Sequence, residues 1–162
     1  MTATGTDTEK RVAAEAAAQL VEAGMTVGLG TGSTVAYLLP ALAARELTGL
    51  RCVATSVATE EQARELGIPV EDFDSLRRLD IAIDGTDEVA PDGWLIKGGG
   101  GAHLREKVVA AAADRFVVIA DASKPVDALR GPVPLELLVG RAWFRYGPWG
   151  RIGPLGQPRP GG

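Results

Sequence analysis

Four ionisable side chains sit in or beside runs of glycine: Asp84 and Asp87 in DGTDE (84–88), and Lys97 and Glu106 in KGGGGAHLREK (97–107). Paired carboxylates can divide proton transfer and hydroxyl binding when their surroundings separate the two pKa values, and such a pair also suits a magnesium ion. Lys97 offers a compact positive charge to an enediolate or a phosphate. Glu106, early in the helix that follows, is a candidate general base if partly buried. Each has a plainer reading: DGTDE as a solvated acidic turn, Glu106 as a surface residue paired with a neighbouring base. The position of DGTDE directly after the apolar run LDIAI favours a site.

A third string, GLGTGST (28–34), precedes both. A dinucleotide fingerprint would need glycine where Ser33 stands and an acid about 20 residues on; neither is present. A methyltransferase-type loop would want an acid just ahead, where Thr26 and Val27 stand. A phosphate cradle needs only what is there, namely backbone amides with Gly32 and the hydroxyls of Thr31, Ser33 and Thr34 at a helix N-terminus. A tight strand-to-helix turn is the bland alternative. KGGGG is not a Walker loop, because its lysine precedes the glycines. Four consecutive glycines cost folding entropy, so a packing or ligand reason is expected. Lys124, in ADASK (120–124), is either a second anion contact or a solvated loop lysine. His103 is read as incidental.

The elements that must position these residues alternate. Thr6 and Glu9 fit a capping box opening a helix to Glu22, with Gly24 beyond it. Met25–Leu29 reads as a strand, then a helix capped by Ser33 or Thr34 to about Glu46. A strand at Leu50–Ala54, a helix at Thr59–Leu66 closed by Gly67, and a strand at Leu79–Ile83 ending at Asp84 follow. Trp94–Ile96 is short and extended, Ala102–Ala113 helical, and Phe116–Ala120 a strand ending at Asp121. This alternation predicts an α/β fold, a Rossmann-like parallel sheet with helices on both faces. Ligands bind such sheets outside the carboxyl ends of the strands, where Gly30, Asp84 and Asp121 fall.

The bulk numbers narrow the function. The 162 residues, 46% apolar, suit one domain with a real core. A net charge of −4 argues against general nucleic-acid binding. No apolar run approaches the roughly 18–20 residues of a membrane span, and MTATGTDTEKR lacks the apolar stretch of a signal peptide. Cys52 and His103 are each the only residue of their type, which leaves no disulfide, CxxC or His-pair metal site. A cytoplasmic protein with neither metal nor cofactor is expected.

Composition changes sharply near the end. Residues 1–136 hold all 21 acidic and 13 of the 17 basic residues, a balance of −8. Arg141, Arg145, Arg151 and Arg159 give the remainder +4, among frequent Gly and Pro and with Trp143 and Trp149. Residues 1–137 are therefore expected to form the α/β domain and 138–162 an irregular tail. The loss of every acid and lysine motivates the hypothesis that the tail comes from a shifted reading frame in a GC-rich gene, or from a sequence error. Resequencing that found an intact frame would sink it.

GTGST, DGTDE, KGGGGAHLREK and ADASK, in this order, resemble ribose-5-phosphate isomerase of the A type, from the first helix to about PVPLEL at 132–137. The resemblance implies metal-free interconversion of ribose 5-phosphate and ribulose 5-phosphate in the pentose phosphate pathway, by a homodimer. It implies Glu106 as the base that moves a proton between C2 and C1 through an enediolate. Asp84, Asp87 and Lys97 would handle ring opening and the sugar oxygens. Thr31, Gly32, Ser33, Thr34, Gly85, Thr86, Gly98, Gly99, Gly100 and Lys124 would line the substrate pocket. It also implies that a further α+β portion of the family is missing after Leu137. The rivals are a non-catalytic sugar-phosphate sensor, an amino-sugar phosphate deaminase or CoA transferase on a related fold, and a methyltransferase.

Overall fold

The computed structural model describes residues 5–72 and 75–131, and the backbone of 144–145 and 153–154. The elements run α1 (Gly5–Ala18), β1 (Thr26–Leu29), α2 (Val35–Ala43), β2 (Arg51–Ala54), α3 (Val57–Glu65), β3 (Leu79–Asp84), β4 (Glu88–Val89), β5 (Leu95–Ile96), α4 (His103–Ala112) and β6 (Ala113–Val118). Strands β1, β2, β3 and β6 form one parallel sheet in the order β2-β1-β3-β6. The central strands are buried along nearly their whole length, as covering on both faces requires.

Val27, Leu29, Ile81 and Ile83 point into the larger core with Ala14, Ala17 and Ala18 of α1, Leu38, Leu39 and Leu42 of α2, and Ala63 of α3. Val53, Leu79 and Ala82 meet Val109 of α4 in a second core cluster. At Gly28 a Cβ would lie 2.4 Å from Val109 Cγ1 and 2.9 Å from Ala82 Cβ. The bare backbone is what lets α4 settle onto the sheet, so this glycine is a packing residue inside β1 and not part of a ligand loop.

Several boundaries differ from expectation. Helix α1 stops at Ala18 because the fully buried Val21 must turn into the core, and the Arg45 guanidinium takes the carbonyls of Ala18 and Val21. Thr6 lies inside α1, and the Glu9 carboxylate accepts the amide of Ala122 (3.0 Å). Helix α2 ends at Ala43, before Glu46 at φ +48°. Thr34 stands at its N-cap with helical dihedrals and makes no side-chain cap, whereas Ser56 caps α3 through the Thr59 amide (3.2 Å). Strand β6 starts at Ala113, three residues earlier than expected, because α4 passes into it with no intervening residue. The antiparallel pair β4–β5 was not expected. Of the tail, Phe144–Arg145 pairs antiparallel with Gly153–Pro154; PVPLEL, Trp143 and Trp149 lie outside the described residues.

Candidate active site

Asp84 is the last residue of β3 and is 3% exposed. Its Oδ1 accepts the amides of Gly85 (2.7 Å) and Thr31 (3.0 Å), and its Oδ2 lies 2.9 Å from Lys97 Nζ. Lys97 follows β5 directly. Its ammonium also donates to the Gly85 carbonyl and stands 3.6 Å from Glu106 Oε1. One largely buried cation is thereby held between two buried carboxylates from different elements. Such a group cannot leave for solvent without stranding both.

Glu106 lies in the first turn of α4 and is 5% exposed. Burial pushes its carboxyl above the ordinary range. Lys97 opposes this, Asp84 adds to it, and His103 also opposes it. The second carboxylate of DGTDE behaves differently. Asp87 Oδ2 accepts the amide of Gly99 (2.8 Å), and the Asp87 amide donates to the Ile96 carbonyl (2.8 Å). A Cβ on Gly99 would lie 2.7 Å from Asp87 Oδ1, so this glycine admits the carboxylate. DGTDE is therefore no loose acidic turn: Asp84 is locked at the strand end, Asp87 is laced to the glycine loop, and Glu88 accepts the Arg130 amide (2.9 Å). Among the described residues no cluster of three or more His, Cys, Asp or Glu gathers as metal ligands.

The expected cradle residues divide. Ser33 is exposed, and its hydroxyl accepts from Lys10 Nζ of α1 (3.0 Å). Gly32 is exposed at φ +117°. Thr31 turns its groups inward, its amide to Asp84 and its hydroxyl to Thr55 (2.6 Å). Its methyl would be 3.5 Å from a Cβ on Gly100, which brings the first and third strings together. Thr34 is buried. Thr86 donates its hydroxyl to the carbonyls of Glu88 and Ile96 (2.9 Å each), so that hydroxyl serves the β4–β5 turn. Gly98 is buried against the His103 ring.

Lys124 follows a turn anchored by Asp121, which is 3% exposed and accepts the amide (2.9 Å) and hydroxyl of Ser123 on Oδ1. These bonds, with Lys124 and Lys10 nearby, hold the Asp121 carboxyl below its ordinary range despite burial. Lys10, Ser33, Asp121 and Lys124 thus mark a cationic end of the site. Lys10 and Asp121 were not among the expected site residues, since nothing in the sequence ties α1 to the loop it touches.

The family model of ribose 5-phosphate isomerase A (phosphoriboisomerase A) matches residues 51–143. The ribose-5-phosphate isomerase A of Caulobacter vibrioides is 56% identical over 133 residues, covering 82% of this chain and 59% of its own length. A D-ribose-5-phosphate isomerase solved in complex with phospho-erythronic acid superposes with a TM-score of 0.75 at 38% identity, over 78% of this chain and 57% of that one. The enzyme from Neisseria gonorrhoeae gives 0.75 at 43% identity, over 78% and 56%. The chain therefore spans somewhat under two thirds of these relatives' length. Matched in sequence over more than half its residues and in fold over most of them, the chain belongs to the ribose 5-phosphate isomerase A family.

Proposed function

We propose that residues 1–137 carry the catalytic apparatus of an aldose–ketose isomerase acting on ribose 5-phosphate and ribulose 5-phosphate. The observation that carries this reading is Lys97 Nζ held 2.9 Å from Asp84 and 3.6 Å from Glu106. In the open-chain aldose, Glu106 takes the C2 proton as a carboxylate and returns it to C1, while the hydroxyl proton passes from O2 to O1, so that the C1 carbonyl becomes a hydroxyl and C2 the carbonyl. The electron pair passes through an enediolate, whose charge the Lys97 ammonium stabilises. The sugar's atoms are conserved throughout, so no redox partner enters. A base whose pKa burial has raised towards the working pH is better matched to this step than an exposed glutamate. Asp84 and Asp87 serve ring opening and the sugar hydroxyls. The phosphate sits at the other end, against Gly32, Ser33, Lys124 and Lys10.

The active form is proposed to be a cytoplasmic homodimer, and sedimentation of the purified chain tests the dimer. Among the described residues, no helix is long and apolar enough to cross a membrane. The deciding assay is formation of ribulose 5-phosphate from ribose 5-phosphate by the 162-residue chain, beside Glu106→Gln. Turnover abolished by the substitution supports the isomerase. Thermal protection by ribose 5-phosphate without turnover would favour a sugar-phosphate binder, and protection by S-adenosylmethionine would defeat both.

A further inference from the structure

His103 is the first residue of α4, one helical turn before Glu106, and residues three apart on a helix are surface neighbours. Its ring lies against the bare backbone of Gly98, where a Cβ would stand 2.9 Å from Cδ2 and 3.0 Å from Nε2. Gly98 adopts φ +102° and directly follows Lys97. The imidazole is thus wedged between the loop that carries the cation and the helix turn that carries the carboxylate. It is also partly buried, which limits the water between it and Glu106.

We propose that His103 is a positioning residue for Glu106, whose protonation holds the neighbouring carboxylate in its ionised, proton-accepting form on the acid side of neutrality. This rests on the reading of Glu106 as the base. Imidazole is the side chain whose ordinary titration spans roughly pH 5 to 8. Charged groups on the elements around the pair include Lys97 from the end of β5, Asp84 from the end of β3, Asp87 through Gly99, and Arg105 and Lys107 on α4 itself. Electrostatics agree in direction, since His103 opposes the effect of burial on Glu106.

Two measurements test this. In the pH dependence of kcat/KM, His103→Leu keeps bulk beside Gly98 but removes the charge. The acid limb should move to higher pH by about 0.3–1 unit, whereas superimposable profiles would overturn the proposal. The second measurement needs no turnover, so it separates failure of this proposal from failure of the isomerase reading. With a single histidine, the Hε1 resonance is unambiguous. Its titration midpoint should fall by about 0.3–1 unit in Glu106→Gln and rise in Lys97→Met, which removes a competing cation. Midpoints unchanged in both variants would overturn the coupling even in an inactive chain.

Discussion

The space a side chain would need on Gly30 is already filled by Asp84: a Cβ there would stand 2.1 Å from Oδ1 and 2.3 Å from Cγ. This glycine therefore serves the carboxylate across the sheet, which could not otherwise reach the Thr31 amide and Lys97 together. Gly30→Ala is expected to lower stability by about 2–4 kcal/mol and to reduce turnover at least as much as Asp84→Asn does. Urea unfolding and initial rates on the two variants check this, and an alanine variant of parental stability would refute it.

Glu106 should cost the fold something at neutral pH. Burial raises its folded carboxyl pKa above the unfolded value. The stability it contributes is thus fully present below the unfolded pKa and is lost as pH rises through the folded one. Glu106→Gln, neutral throughout, should melt above the parent at pH 7 to 8, by roughly 2–4 °C for each kcal/mol relieved. The gap should close on acidification below the ordinary glutamate range. Calorimetry across pH tests the sign, and a lower melting temperature for the variant at pH 8 would contradict it.

Gly28 predicts a size-matched pair. Gly28→Ala should destabilise by about 1–3 kcal/mol through contact with Val109, and should also depress activity because α4 carries Glu106. Adding Val109→Ala makes room and should recover part of the loss in both. A double variant no better than the sum of its singles, in denaturant melts, would show that the contact is not the cause.

Lys10 is the residue whose effect should fall on binding alone. It touches the Ser33 hydroxyl, whereas the cation paired with Asp84 and Glu106 is Lys97. Lys10→Met should raise KM for ribose 5-phosphate by about 5–50-fold with kcat little changed. A fall in kcat with KM unmoved would place Lys10 elsewhere in the mechanism.

What the sequence revealed follows a physical logic. Asp84, Lys97 and Glu106 were legible because a carboxylate after LDIAI, a lysine before four glycines and a glutamate early in a helix each carry a local signal. The parallel sheet was legible because buried strands read as apolar runs between helical segments. What was hidden depends on contacts distant in sequence. Thr31 and Thr86 were expected to face a ligand, yet the hydroxyl of each is spent on its own scaffold. Gly28 belongs to a motif that suggests phosphate, and only Val109, 81 positions away, shows that it exists for packing. Lys10 and Asp121 reach the site from α1 and from beyond β6, and no local pattern announces either. The two-residue strands β4 and β5 are too short for periodicity to register.

The direct passage from Ala112 in α4 to Ala113 in β6 has a mechanical consequence. With no slack at that joint, the far end of the helix is welded to the sheet through the β3–β6 ladder. The near end abuts four glycines, three of them exposed. The helix is therefore anchored like a cantilever, its root in the sheet and the Glu106 carboxylate near its glycine-flanked tip, so that the backbone of the glycine loop sets where that tip lies.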